Sequence, residues 1–496
     1  MPTRARTGGD MVSASMSSRT RSLARFPGHI GVTSDPSILA SFASDQSGRA
    51  GARPIAIAHP TSTEEIQAVV RWAIAQGVPL VPVSSKSGPR RRGDTVCDHP
   101  SIIMDLSGMN KVVHVDGDDA IAVIEPGVTF SQFDAALKGH GLRSFRPLAP
   151  RASKSVLTAF LEREPVTVPG QHWDSADPLA ALELVFGSGD LFRTGGAALP
   201  GTLEENLARG NRQMINSGPM HTDFGRVIQG AQGALGVVSW ASIYCQRIPA
   251  IEVPLFATSD SLEAITDLCY RMLRRRSAGQ LFILNGRQLA LLLADSLQRF
   301  EALKAALPPW ILYVELSAAA YFPEEAIAYR RADLERDAAS LAVTVASDVA
   351  GISAKAMAQW MTAESGPGEA ALGLARQEVF FLSQLDKVQK HIDALEPTDR
   401  ADSCIYVQPL AQGVNAHCQF AFLGKAGEEQ MLSRRAVKAA ERLAASNGFF
   451  SRPYHPWAGV PFERDKAIVP LLARTKSLFD PHAILQPGAQ SLGIRQ

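Results

Sequence analysis

The sequence predicts an α+β protein in which two α/β lobes carry a separate α+β cap. Three observations support this. A strand–helix–strand pattern opens the ordered region near Pro54, and glycine-punctuated β runs continue up to Pro249. After Pro249 the composition shifts to helices mixed with strands, and the chain turns helical again near Glu428. At 496 residues the chain exceeds what one hydrophobic core sustains. The expected division is a flexible tail over 1–50, a first domain over 51–249, a cap over 250–430 and a C-terminal segment over 431–496 that returns to the first domain.

Element by element, Pro54–Ala58 reads as a strand. Ser62 to Glu65 fits a capping box that starts a helix, and Ile66, Val69, Val70 and Ala73 follow at helical spacing. Gly77 stops it and Pro79–Val83 returns as a strand. Strands follow at Ser101–Leu106 and Ala120–Glu125. Thr129 and Gln132 form a second box, whose helix runs through Phe133 and Leu137 to Gly141. Leu182–Phe186 and Leu191–Thr194 read as a hairpin turning through Gly187–Asp190. Gly230–Arg247 is a glycine turn feeding a long β run. The cap holds strands such as Ile311–Leu316 and Gln419–Leu423, and helices Glu428–Ala445 and Lys466–Ser477 close the chain.

Composition excludes several classes. A net charge of +1 with 20% charged residues lacks the basic footprint of a nucleic-acid binder. Cys97, Cys245, Cys269, Cys404 and Cys418 are odd in number and lack CxxC spacing, so reduced thiols and a cytoplasmic location are expected. No apolar run approaches the ~20 residues of a membrane span. His59, His99, His114 and His140 lack metal-ligand spacing, so no metal is expected. Met1–Phe26 is rich in Ser and Arg with Asp10 as its one acid. Without amphipathic spacing it reads as a disordered tail rather than a transit peptide.

The loop Ser84–Asp94 follows a strand and mixes Ser and Gly, as a loop does that presents backbone N–H groups to phosphate. Arg90, Arg91 and Arg92 can add charge-assisted bonds; a solvated basic loop is the alternative. No GK[ST] and no GxGxxG opening a helix occurs, so neither an NTPase nor a Rossmann site is indicated. Four further pieces come in order: Ile124-Glu125-Pro126-Gly127-Val128, Leu182 to Val185 with Gly187 to Gly195, Gln229 to Val238, and Leu478 to Gly488. Together they resemble the vanillyl-alcohol oxidase/p-cresol methylhydroxylase flavoproteins over about residues 54–248 and 430–490.

The resemblance implies a PCMH-type FAD-binding domain, with FAD extended between the two lobes. Ser84, Ser85, Ser87, Gly88 and Gly93 are then expected to hold the pyrophosphate, and Val238 to meet the adenine end. Ser155 and Gln486 are the remaining cofactor candidates. Gly230, Gly233 and Gly236 let backbone approach the ring where a Cβ would clash, unless they merely make turns. The chain departs from the family where Lys86, Pro89 and three arginines enter the loop, and where Ser155-Val156-Leu157-Thr158 replaces a glycine-rich stretch.

On the reactive side the resemblance implies four catalytic candidates. Gln171 stands where phenol-oxidising members carry an acid, and His172 matches their histidine. His417 matches a histidine over the flavin; a non-covalent FAD is expected. Arg452 matches the arginine of a Tyr-Arg pair whose tyrosine is Ser451 here, with Tyr454 or His455 as substitutes for the hydroxyl. The implied activity is removal of a hydride from a small organic substrate, such as a para-substituted phenol or aromatic alcohol. The alternatives are a 2-hydroxy-acid dehydrogenase subunit passing electrons to a separate protein, and a non-catalytic flavin-fold binding protein. A homo- or hetero-oligomer is expected.

Overall fold

The strand–helix–strand unit forms where the spacing requires it. In the computed structural model, which describes residues 23, 25–88, 90–172, 177–211, 223–362 and 372–488, a helix spans Thr63–Gln76. The Ser/Arg-rich start lies almost wholly outside the described residues, as do Pro89 and Trp173. Ser62 Oγ accepts the Glu65 N–H at 3.3 Å, but Glu65 reaches Thr61 N, at 2.7 Å, instead of closing a reciprocal box. Thr129 and Gln132 do close one. Gly77 ends the first helix in the left-handed region.

The first lobe is a four-stranded sheet ordered Gly31–Thr33, Ala56–His59, Ile102–Asp105, Leu80–Val83, parallel except for its first pair. The strand Gly31–Thr33 lies inside the segment read as tail. Ile30 is buried beside it and Phe26 stacks edge-on to Trp72, so apolar anchors order this stretch. The second lobe is a five-stranded antiparallel sheet ordered Val112–Asp116, Ile121–Ile124, Gly236–Tyr244, Leu179–Phe186, Leu191–Arg193. Buried Glu183 ties the lobes together by accepting from Thr63 Oγ1 at 2.8 Å while pairing with Arg193 at 2.7 Å.

The cap is a seven-stranded antiparallel sheet with a core on each face. Leu281 and Ile283 point to one core, Phe282 and Leu284 to the other, which is why this strand is apolar throughout instead of alternating. The helix Glu429–Ala445 packs on the cap through Leu432, Ala436, Ala440 and Leu443, so the return to the first domain begins later than residue 431. It is made by the helix Ile468–Phe479. Buried Lys476 pairs with Asp480 at 2.7 Å and donates to the carbonyls of Ala234 at 2.9 Å and Leu485 at 2.6 Å. Leu80 N donates to Ile484 O, and Gln486 N donates back to Leu80 O, which brings Gln486 to the edge of the first sheet. Among the described residues no helix is long and apolar enough to cross a membrane.

Candidate active site

A cleft whose free space, open solvent included, is about 1850 Å³ runs between the two lobes and under the cap. Its first wall is the end of the strand Leu80–Val83 with Ser84 and Ser85. Its second is the turn at Gly233 with Gly236 and Val238 at the start of the strand Gly236–Tyr244, and Gln486 also lines it. Ser85 Oγ accepts the Ser155 N–H at 3.1 Å, and Ser155 Oγ donates to Pro126 O at 2.5 Å, so Ser155 supports the wall from behind. Ser87 and Gly88 line a neighbouring pocket, and Gly93 turns to Asp45, its N–H donating at 2.7 Å. Gly230 is not on the cleft wall either; a Cβ there would meet the Arg163 guanidinium at 3.0 Å.

The glycines on the wall are fixed first by protein contacts. Gly233 has φ +77, and a Cβ there would lie 2.5 Å from Pro82 Cγ, in the wall itself. Gly236 packs its Cα face on Leu184. Gly233→Val is therefore expected to push Pro82 into the cleft and abolish FAD retention, read as the ratio of flavin to protein absorbance. A folded variant with stoichiometric FAD would make Gly233 a turn residue only.

The cleft's polar atoms suit a dinucleotide. Thr95 Oγ1 and Gln486 Oε1 line it and are buried without a hydrogen-bond partner among the described residues, a costly state that a polar ligand relieves. Arg90, Arg91 and Arg151 gather at one edge. Arg90 lies 4.4 Å over the Phe42 ring, and Arg151 Nε donates only to neutral oxygens, Ser87 O and Ser153 Oγ, each at 3.2 Å. Burial pushes the pKa of both guanidiniums down, against the pull of Asp94, Asp105 and Asp45 on Arg90 and of Glu162 and Glu164 on Arg151, which Arg90 and Arg91 push down further. A cluster of guanidiniums set against each other is a fit for a diphosphate.

The floor of the cleft is an ionic network that the sequence did not single out. Arg92 Nη1 donates to Glu162 Oε2 at 2.6 Å and to Glu164 Oε1 at 2.5 Å, and its Nε lies 3.8 Å from Glu378. Lys154 bridges the first two acids at 2.7 and 3.3 Å, and Arg376 pairs with Glu378 at 3.0 Å. Burial raises the Glu162 carboxyl against the pull of Lys154 and Arg92. Burial also opposes the charge on Glu164, but Lys154, Arg92 and Arg452 hold it well below the usual range. The two acids titrate as a coupled pair. Burial works against Glu378 too, yet Arg91, Arg376 and Arg92 bring it down to about 2. The only trace of this in the sequence is charge inside apolar stretches: Glu162 and Glu164 after Phe160-Leu161, and Arg376 and Glu378 before Val379-Phe380-Phe381.

Behind Glu164 and Arg452 lies a smaller chamber that brings together Gln171, His172, His417 and Ser451. Arg452 borders both spaces. Its Nη1 donates to Glu162 O at 3.2 Å and its guanidinium lies 4.3 Å over the Phe380 ring; no ion pair is found for it among the described residues. Burial lowers its pKa and nearby Arg92 adds to this, against the pull of Tyr454, Glu164 and Glu162. Burial and Arg452 lower that of His417 to about 3, so its ring is neutral. Tyr454 is set apart from this chamber, packed against Arg92 with its ring centroid 5.2 Å away.

Comparisons with known proteins agree with this geometry. Residues 54–195 match the model of an FAD binding domain. A D-2-hydroxyglutarate dehydrogenase of Xanthomonas citri pv. viticola is 29% identical over 209 residues, 42% of this chain and 40% of its own. A 4-cresol dehydrogenase [hydroxylating] flavoprotein subunit of Pseudomonas putida is 28% identical over 158 residues, 30% of this chain and 28% of its own. The matched segments thus span well under half the length of these relatives. The structure of p-cresol methylhydroxylase with substrate bound superposes with a TM-score of 0.76, covering 93% of this chain and 94% of that one at 17% identity.

Proposed function

We propose that this chain, which carries an FAD binding domain in a p-cresol methylhydroxylase-type fold, is an FAD-dependent oxidoreductase that removes a hydride from a small organic anion held at Arg452. The supporting observation is a buried guanidinium, bordering both cleft and chamber, with one backbone acceptor and no ion pair within 4 Å among the described residues, Glu164 and Glu162 acting on it only at longer range. A buried cation so placed is expensive unless an anion answers it. FAD, when bound, supplies the two-electron acceptor.

The chain's own residues position the donor carbon. Arg452 offers a planar fork of N–H donors to a carboxylate or phenolate and lowers its pKa. His417 is neutral and orients the reacting hydroxyl by hydrogen bonding. The Glu162/Glu164 pair, held by Arg92 and Lys154, is the proton store nearest Arg452. Leu382, Leu410 and Phe160 line the chamber and exclude water.

A 2-hydroxy acid suits this site better than a phenol. Ser451 offers no phenolic hydroxyl. Burial and Glu162 raise the pKa of Tyr454 far above its usual value, so it stays protonated, and Gln171 cannot titrate. The likeness to a D-2-hydroxyglutarate dehydrogenase supports the same choice. The Pseudomonas putida relative is a flavoprotein subunit, which supports a separate electron-accepting protein here. The test is anaerobic addition of short 2-hydroxy acids and para-substituted phenols while absorbance near ~450 nm is followed. Bleaching by a hydroxy acid is expected. A yellow protein bleached only by phenols would reverse the substrate assignment, and a protein that never takes up FAD would remove the enzyme reading.

The FAD is expected to be non-covalent, because His417 lines the inner chamber and not the cleft wall. Acid precipitation should leave the yellow colour in the supernatant. Colour retained in the pellet, and lost from it in His417→Ala, would show a covalent link.

A further inference from the structure

The chamber behind Arg452 has a second neighbour. On its far side, His172 and Leu382 also line an open pocket at the protein surface, between the strand Leu374–Ser383 and the end of the helix Glu429–Ala445. The two side chains are therefore a shared wall. Both are nearly buried, at 4% and 9% exposure. Leu382 is held by its backbone, which exchanges hydrogen bonds with Phe449 at 2.7 and 3.0 Å. Among the described residues, these two are the ones that line both spaces.

The outer pocket has a consistent polarity. Lys387 and Lys390 line it with the amides of Asn415 and Asn447, and no acid is among its lining residues. Lys387 meets the exposed Asp386 at 3.0 Å, a surface contact that compensates it little. At the inner end, Asp177 is engaged by Gln229 and by the Leu179 N–H, and Glu164 is paired with Arg92 and Lys154. Two guanidiniums line that end, Arg452 and Arg163, the latter donating to the carbonyls of Arg226 and Gln229, so the charge that meets an incoming molecule there is positive. Lysines outside, a thin neutral wall and arginines inside form a graded path for a small anion. The main cleft is lined by Arg90 and Arg151, which the dinucleotide's phosphates would engage.

We infer that small organic anions enter the reactive chamber through this lysine-flanked pocket, past a gate formed by His172 and Leu382, while the wide cleft serves the dinucleotide alone. This rests on the proposed function, since it takes the cleft to be filled by FAD. A substituted-cysteine experiment tests it without any substrate. The native cysteines are all buried, so background labelling is low. Ser451→Cys places a thiol in the chamber of the holoprotein. Its labelling is followed with the anionic 2-sulfonatoethyl and the cationic 2-trimethylammonioethyl methanethiosulfonates, each of which forms a mixed disulfide and expels methanesulfinate.

Adding Leu382→Trp should plug the gate and slow labelling by the anion at least about tenfold, and Leu382→Ala should speed it. Lys387→Glu with Lys390→Glu should slow the anionic reagent and speed the cationic one, with the difference shrinking at high salt. FAD content is read on every sample. Labelling of a fully FAD-loaded protein that ignores both Leu382 variants, or a thiol that no reagent reaches, overturns the second entrance alone. A protein that never takes up FAD fails the reading beneath it, and the inference falls with it.

Discussion

Arg452→Met is expected to lower kcat/KM for the best substrate by about 3–5 kcal/mol, the range measured when one partner of a buried charged contact is removed. At about 1.4 kcal/mol per tenfold this is a loss of two to three and a half orders of magnitude. The replacement preserves the aliphatic stem over Phe380, where the guanidinium now lies 4.3 Å from the ring centroid, so the chamber should keep its shape. FAD content should not change, because the contacts of Arg452 are with Glu162 O and Phe380 rather than with the cation cluster of Arg90, Arg91 and Arg151. Steady-state kinetics and the flavin-to-protein ratio read the two quantities. Normal turnover would place Arg452 outside the site, and lost FAD would make it structural.

Arg92→Met should be the most damaging change for stability. It leaves Lys154 as the one ion-pair partner of Glu162 and Glu164 among the described residues, and Arg376 as that of Glu378, with Arg452 and Arg91 acting only at longer range. Removing one member of a buried ion cluster costs about 3–5 kcal/mol, because the remaining charges stay desolvated. The sign of the pH dependence follows. Without Arg92 the carboxyls' folded pKa values rise, so the folded state binds more protons than the unfolded state. The deficit should therefore grow as pH increases from about 5 towards 8. Urea unfolding of variant and wild type across that range checks it. A deficit that is small and independent of pH would mean that the network is solvated.

How much of this was legible in the sequence depends on which forces set each part. Elements fixed by local chemistry were legible: the capping box at Thr129, the stop at Gly77, the hairpin at Gly187–Asp190 and the core positions Ile66, Val69 and Val70. The ordered motifs also pointed to the fold and to FAD, which the domain match and the superposed structure bear out. Boundaries set by tertiary contacts were not legible. The helix Glu429–Ala445 has one apolar stripe, and nothing local says whether that stripe meets cap or first domain. Gly31–Thr33 is too short to read as a strand until its partner is known.

The site was legible in part. Gln171 and His172 lie more than two hundred residues before His417 and Arg452 in the sequence, yet all four meet around one chamber. Ser87, Gly88, Gly93 and Gly230 were expected at the cofactor by motif position; Ser87 and Gly88 line a neighbouring pocket, Gly93 donates to Asp45 and Gly230 packs on Arg163. The network of Arg92, Lys154, Glu162, Glu164, Arg376 and Glu378 escaped notice because each charge is unremarkable alone. Its meaning comes from burial at one point, which only the fold creates.

The central claim is that Arg452 holds an organic anion beside the flavin. The direct test is a titration of the oxidised holoprotein with oxalate, an anion that cannot donate a hydride, followed by flavin difference absorbance. A saturable perturbation is expected in wild type, weakened at least about a hundredfold in Arg452→Met at equal FAD content. An equal perturbation in both proteins, or none in the wild type, would contradict the account.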